Sequence, residues 1–279
     1  MSYKTLLTVL TSPDGAEGTL AAATAIAHRE RAHLEVLCLG IDRTHAGYYE
    51  AGVNMMLQQE MIDRAKADAQ DLTKKTRAIL SGETIGWSVE AGVAQIGGVG
   101  TTVALHARFA DLVVLPPPYG PGRGPEDEAT IEAALFAGQA PVLVVPASGL
   151  REGFGRHIVA AWNQSNESLI AVRRALPLLI EADVVNIAIV DPPQHGPERS
   201  DPGGLLSQML ARHGVKVEVS VLAKTLPLVS EVLKRHLRDQ NADLLVMGAY
   251  GHSRLREAIL GGATRAMLEG AELPVFMAH

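Results

Sequence analysis

Apolar and polar positions alternate with a rhythm that repeats. Short apolar runs of buried-strand type are separated by longer stretches with helical spacing. In the first half the runs are "YKTLLTVL", "HLEVLCLGID", "TIGWSVEAG", "ADLVVL" and "APVLVVP". In the second half they are "RHIVAAW", "DVVNIAIVD", "VKVEVSVLA", "ADLLVM" and "LPVFMAH". The two sets match in order, and the second strands end in Asp42 and Asp191. Strands alternating with helices indicate a parallel sheet with helices on both faces and right-handed crossovers. The fold class expected is therefore α/β, with two tandem Rossmann-like domains. Each is a five-stranded parallel sheet in the order 3-2-1-4-5. The polar, glycine-containing stretch "SGLREGFG" is the natural linker, giving domains at 1–147 and 153–279.

The halves differ after their second strands. The first has a long connection with the helical pattern "NMMLQQEMIDRAKADAQDLTKKT", whose Met55, Met56 and Met61 read as core-facing. The second has "PPQHGPERSDPGG", which reads as a loop.

Composition narrows the classes. The chain has 279 residues, 47% hydrophobic and 20% charged, and a net charge of −6. That balance suits a globular protein with a good core and gives no basic excess for nucleic acid or an anionic membrane. The first residues make a poor signal peptide, and no segment reaches the roughly 18 apolar residues of a membrane span. Cys38 is the single cysteine, so no intrachain disulfide forms; it reads as a core residue. The setting expected is cytoplasmic.

Candidate chemistry concentrates in "GAYGHSRLREAILGG", Gly248 to Gly262, where three glycines stand at G-x2-G-x9-G spacing. Spacing alone is weak evidence. Position strengthens it, because the stretch begins where the fourth strand ends, and open parallel sheets bind ligands at strand carboxyl ends where strand order reverses. Gly248 and Gly251 would let the backbone approach a ligand, and Gly261 and Gly262 precede the last helix, whose free N–H groups suit phosphate. Arg254, Arg256, Arg265 and His252 add cationic character. Elsewhere there is no Walker loop, no G-x-G-x-x-G after either first strand, no assignable Ser/His/Asp set, and no metal-ligand spacing among the ten histidines.

The segment "ADLLVMGAYGHSRLREAILGGATRAMLEGAELPVFMAH" resembles the last third of the universal stress protein (UspA-like) domain, and "VAAWNQSNESLIAVRRALPLL" resembles its first strand, turn and helix. The resemblance covers the second half and, more weakly, the first. It implies a tandem universal stress protein acting as a stress-response or signalling module. In ATP-binding members, residues after strand 1 and near the end of strand 2 contact adenosine, while the glycine loop and the start of the last helix hold phosphates. The matching positions here are Ala161, Trp162, Asn163, Ile189, Met247, Gly248, Gly251, Gly261, Gly262 and Ala263. Two depart from the family pattern: Asn163 stands for an aspartate and Gly262 for a Ser or Thr. Each lost hydrogen bond costs about 1 kcal/mol, or ~5-fold in affinity. The cofactor expected is ATP with magnesium, in the second domain alone.

Shifting that motif back by 132 residues puts Pro116, Tyr119, Ala129 and Thr130 where the glycines stood. Glu126, Asp127 and Glu128 then open the last helix of the first half, where they would repel phosphate. No base or nucleophile is placed, so the chain is expected not to be an enzyme, or at most a slow ATPase. The alternative is a non-nucleotide-binding interaction or scaffold protein with both sites degenerate, a reading that Asn163 and Gly262 favour. Family members commonly dimerise through their last strand, and an unpaired apolar edge is an aggregation hazard. An internal pseudo-dimer through Val142–Val145 and Val275–Met277 is therefore expected.

Overall fold

The computed structural model describes residues 2–13, 15–43, 55–192, 200–249 and 262–279, with side chains from residue 58 in the third segment. The chain divides into two compact units between Val142 and Leu143. The cut falls inside a strand, ahead of the "SGLREGFG" stretch.

In the first unit the strands are β1 (Thr5–Leu10), β2 (His33–Asp42), β3 (Trp87–Gln95), β4 (Leu112–Leu115) and β5 (Val142–Val144). The helices are α1 (Ala16–Glu30), α2 (Met55–Leu80), α3 (Val99–Ala107) and α4 (Pro125–Glu132), the last continued by a π-helical turn through Ala137. Strand order is β3-β2-β1-β4-β5, and the pairings of β1 with β2 and β4, and of β2 with β3, are parallel. In the second unit β6 (His157–Ala161), β7 (Val184–Val190), β8 (Val217–Leu222), β9 (Leu244–Gly248) and β10 (Val275–Ala278) run in the order β10-β9-β6-β7-β8, all parallel. Its helices are α5 (Asn166–Arg174), α6 (Leu176–Glu181), α7 (Gly204–Arg212), α8 (Val229–Asp239) and α9 (Gly262–Leu268).

The central strands are apolar on both faces because helices cover both. Leu112 to Leu115 and Leu244 to Val246 are all buried. In the first unit α2 lies directly on β2. A Cβ on Gly40 would sit 1.9 Å from the Ala65 carbonyl oxygen, and Ala65 and Ala69 keep the facing helix surface small. Cys38 is fully buried on β2, Sγ 3.6 Å from the Thr76 hydroxyl, and burial raises its pKa.

The repeated "AD" before each fourth strand has a structural reason. Asp111 accepts the backbone N–H groups of Lys4 and Thr5 at 2.7 and 3.0 Å. Asp243, 132 positions on, accepts those of Gly155, Arg156 and His157 at 3.0, 2.9 and 3.1 Å. Each carboxylate ties the start of its unit's first strand to the fourth and satisfies donors that the ladder leaves open.

Candidate functional site

Strand order reverses between β6 and β9 in the second unit, where Ala160 pairs with Val246. The loops after Ala161 and Met247 therefore leave the same sheet edge side by side. Ile189 joins them from β7, since Ala161 pairs with Ala188. Of the residues expected at this site, Ala161, Trp162, Asn163, Ile189, Met247 and Gly248 are brought together on this edge. Gly262 and Ala263 form the first turn of α9 and are exposed, while Thr264 behind them is buried. Gly251 and Gly261 lie outside the described residues, as do His252, Arg254 and Arg256.

The local structure after β6 follows from its polar residues. The Trp162 N–H donates to the Ala188 carbonyl at 2.9 Å, extending the strand by one residue. Gln164 takes a left-handed φ of 63°, turning the chain into α5. The Asn163 side-chain oxygen accepts the Ser165 N–H at 3.2 Å, and the Ser165 hydroxyl accepts the Ser168 N–H at 3.1 Å. Ser165 is thus the N-cap of α5, satisfying one of its open donors. A serine just ahead of an apolar helical pattern, with Glu167 in the first turn, was the available sequence signal for this cap. Asn163 is exposed, and part of its hydrogen-bonding capacity is spent on its own turn. The indole Nε1 of Trp162 is buried and has no hydrogen-bond partner among the described residues.

Gly248 has a packing role beside the one its spacing suggested. A Cβ there would lie 2.6 Å from the Ser168 nitrogen and 2.7 Å from the Glu167 carbonyl carbon. The first turn of α5 packs on the bare end of β9, so the fold itself requires this glycine. Beyond it, the Ala249 N–H donates to the Ala278 carbonyl at 2.9 Å, and His279 Nδ1 donates to the Ala249 carbonyl at 2.9 Å.

The same edge of the first unit, between β1 and β4, is closed by its own charges. A cleft there is lined by Thr11, Ser12, Gly15, Thr19, Arg123 and Asp127, among others. Asp127 accepts the Gly124 N–H at 2.8 Å and faces Arg123 at 3.3 Å. Its pKa is raised by burial, against the opposing pull of the Gly124 N–H and Arg123. Glu126 is buried and paired with Arg43. Two of the three acidic residues expected to repel phosphate, Glu126 and Asp127, are therefore paired with arginines. What they withhold are donors: the Gly124 N–H and two guanidinium groups are already engaged by carboxylates.

Residues 155–279 match the profile of the Universal stress protein family. The match covers the second unit, which is thus similar to the universal stress protein family. A curated universal stress protein from a Synechocystis species is 36% identical over 72 residues, which is 26% of this chain and 24% of that protein. The chain thus spans about a quarter of the curated relative that it matches. Among solved structures, a universal stress protein from Archaeoglobus fulgidus superposes with a TM-score of 0.74 at 13% identity, covering 98% of this chain and 97% of that one. A functionally unknown protein from Pseudomonas aeruginosa gives 0.58 at 18% identity, covering 99% and 92%. These likenesses speak to fold. They cover the first unit as well as the second. No helix among the described residues is long and apolar enough to cross a membrane.

Proposed function

We propose that the second universal stress protein domain binds ATP or a related adenine nucleotide with magnesium, and that the first domain does not. The observation that carries this reading is the strand reversal at β6 and β9, which sets Ala161–Asn163 and Met247–Gly248 on one edge beside Ile189. The sequence continues from that edge into the glycine stretch that resembles the family's phosphate loop. The buried, unmatched indole N–H of Trp162 adds a donor awaiting an acceptor. The arginine–carboxylate pairs at the corresponding edge of the first unit support its exclusion. No base or nucleophile is assigned, so the nucleotide acts by biasing a conformation or a partner contact, in a stress-response or signalling role. The acidic net charge and single buried cysteine fit a cytoplasmic setting.

A second reading is a scaffold protein with no nucleotide. Asn163 favours it, being exposed and engaged by the Ser165 N–H. Equilibrium dialysis of the full chain against ATP and magnesium separates the two. The first reading expects binding near or below millimolar, lost in Gly261→Glu and kept in Glu128→Lys of the first unit. The absence of binding near millimolar supports the scaffold. Glu128 suits this control because it is only partly buried, whereas the neighbouring Thr130 is buried with its hydroxyl on the Glu126 carbonyl at 2.8 Å.

A further inference from the structure

Glu35 on β2, Glu90 on β3 and His106 in the last turn of α3 converge on one face of the first unit. One ligand atom from each lies within 4.8 Å of the others. Register explains the meeting. Glu35 pairs with Ser88, and Glu90 stands two residues further along the same strand, so both carboxylates leave the same sheet face on a diagonal. His106 Nδ1 donates to Glu35 Oε1 at 2.7 Å. Glu35 and His106 are half-buried and Glu90 is exposed, which leaves an approach from solvent.

The second unit holds the matching position and fills it differently. Asn186 pairs with Glu218 on β8, and Ser220 stands two residues further along, repeating the Glu35–Glu90 diagonal. His236, from the helix before the fourth strand, again supplies the ring. Here the set is closed and neutral: His236 Nε2 donates to Asn186 Oδ1 at 2.8 Å, and Asn186 Nδ2 donates to the Ser220 hydroxyl at 2.9 Å. Packing of the fold is thus satisfied by a histidine, an amide and a hydroxyl. The first unit carries two carboxylates instead, close together, with only one histidine proton between them. That excess of negative oxygen donors is what a cation would balance.

We propose that Glu35, Glu90 and His106 form a binding site for a divalent transition-metal ion of the Zn2+ or Co2+ class. One imidazole nitrogen and two carboxylate oxygens suit a borderline ion and leave a fourth position for water. Bonds of about 2.0–2.2 Å in a tetrahedral arrangement set ligand atoms about 3.3–3.6 Å apart. The Glu35–His106 pair widens slightly from its present 2.7 Å, and the remaining gaps close by about 1 Å of side-chain movement. Metal replaces the proton on His106 Nδ1, which passes to Nε2 in the neutral ring. Within the first unit the site stands away from the carboxyl edge of the sheet, since Glu35 lies seven residues before Asp42 at the carboxyl end of β2, about 23 Å along the strand.

Titrating Co2+ into the full-length protein, with Zn2+ as competitor, tests the site through the visible ligand-field absorption of bound cobalt. The wild type develops bands that saturate at one equivalent and are bleached by one equivalent of Zn2+. Glu90→Gln, an exposed change that leaves far-UV circular dichroism unaltered, weakens Co2+ binding at least ~10-fold, and His106→Gln does the same. His33→Gln, at the neighbouring exposed histidine bonded to Ser88 at 3.0 Å, titrates like wild type. Absence of bands in the wild type overturns the proposal, as do bands that persist unchanged in Glu90→Gln or His106→Gln.

Discussion

Substituting Gly248 by alanine separates two meanings of a motif glycine. Its backbone φ is not in the left-handed region, so alanine meets no conformational penalty there. The cost comes from contact. The new Cβ would stand 2.6 Å from the Ser168 nitrogen, 2.7 Å from the Glu167 carbonyl carbon and 3.0 Å from the Glu167 Cβ. Two of these are backbone atoms in the first turn of a helix anchored by the Ser165 cap, so relief means moving α5 by several tenths of an ångström. Overpacking of this kind costs about 3 kcal/mol at the upper end of the usual range. Reduced freedom of the unfolded chain returns about 0.4–1 kcal/mol. The net destabilisation is about 2 kcal/mol, which lowers a urea midpoint by about 1 M at a typical slope. The assay is urea unfolding followed by Trp162 emission in a Trp87→Phe background, so that the second unit alone is observed. Gly262→Ala serves as reference, because a Cβ there meets nothing within 4 Å, and it should hold or raise the midpoint. A Gly248→Ala midpoint equal to that of the parent would refute the packing argument.

Three further outcomes follow from named contacts. Gly40→Ala puts a Cβ 1.9 Å from the Ala65 carbonyl oxygen and should cost the first unit about 3 kcal/mol or more in chemical unfolding. Asp243→Ala removes the acceptor of three backbone N–H groups and should cost about 2 kcal/mol, with hydrogen exchange accelerated first at Arg156 and His157. His236 has a pKa lowered from 6.5 by burial, so the folded state resists its protonation. Its contribution to stability is complete above 6.5 and is lost as pH falls through the depressed folded value. Denaturant midpoints measured from pH 7.5 to 5 should therefore fall less in His236→Gln than in wild type.

The strands were legible because each is a dense apolar run bounded by turn residues. "HLEVLCLGID" became β2 residue for residue, and the strand order followed from two parallel repeats. The role of Gly248 was not legible, since nothing local tells that Glu167 and Ser168, some eighty residues earlier, press on its backbone. The same distance hid the Asp111 and Asp243 clamps behind what looked like a recurring "ADL" word. Histidine spacing gave no metal signal, because Glu35, Glu90 and His106 meet through sheet register and a crossover helix rather than through sequence proximity. The acidic opening of α4 was visible, but its arginine partners were not: Arg43 reaches Glu126 across 83 positions.

The central claim is that a nucleotide site exists in the second unit and not in the first. Photolabelling the full chain with 8-azido-ATP in the presence of magnesium, followed by peptide mapping, tests it most directly. The account predicts label on peptides between Arg156 and His279, suppressed by excess ATP and absent in Gly261→Glu. ATP-protectable label confined to peptides before Val142, or no protectable label at all, would contradict it.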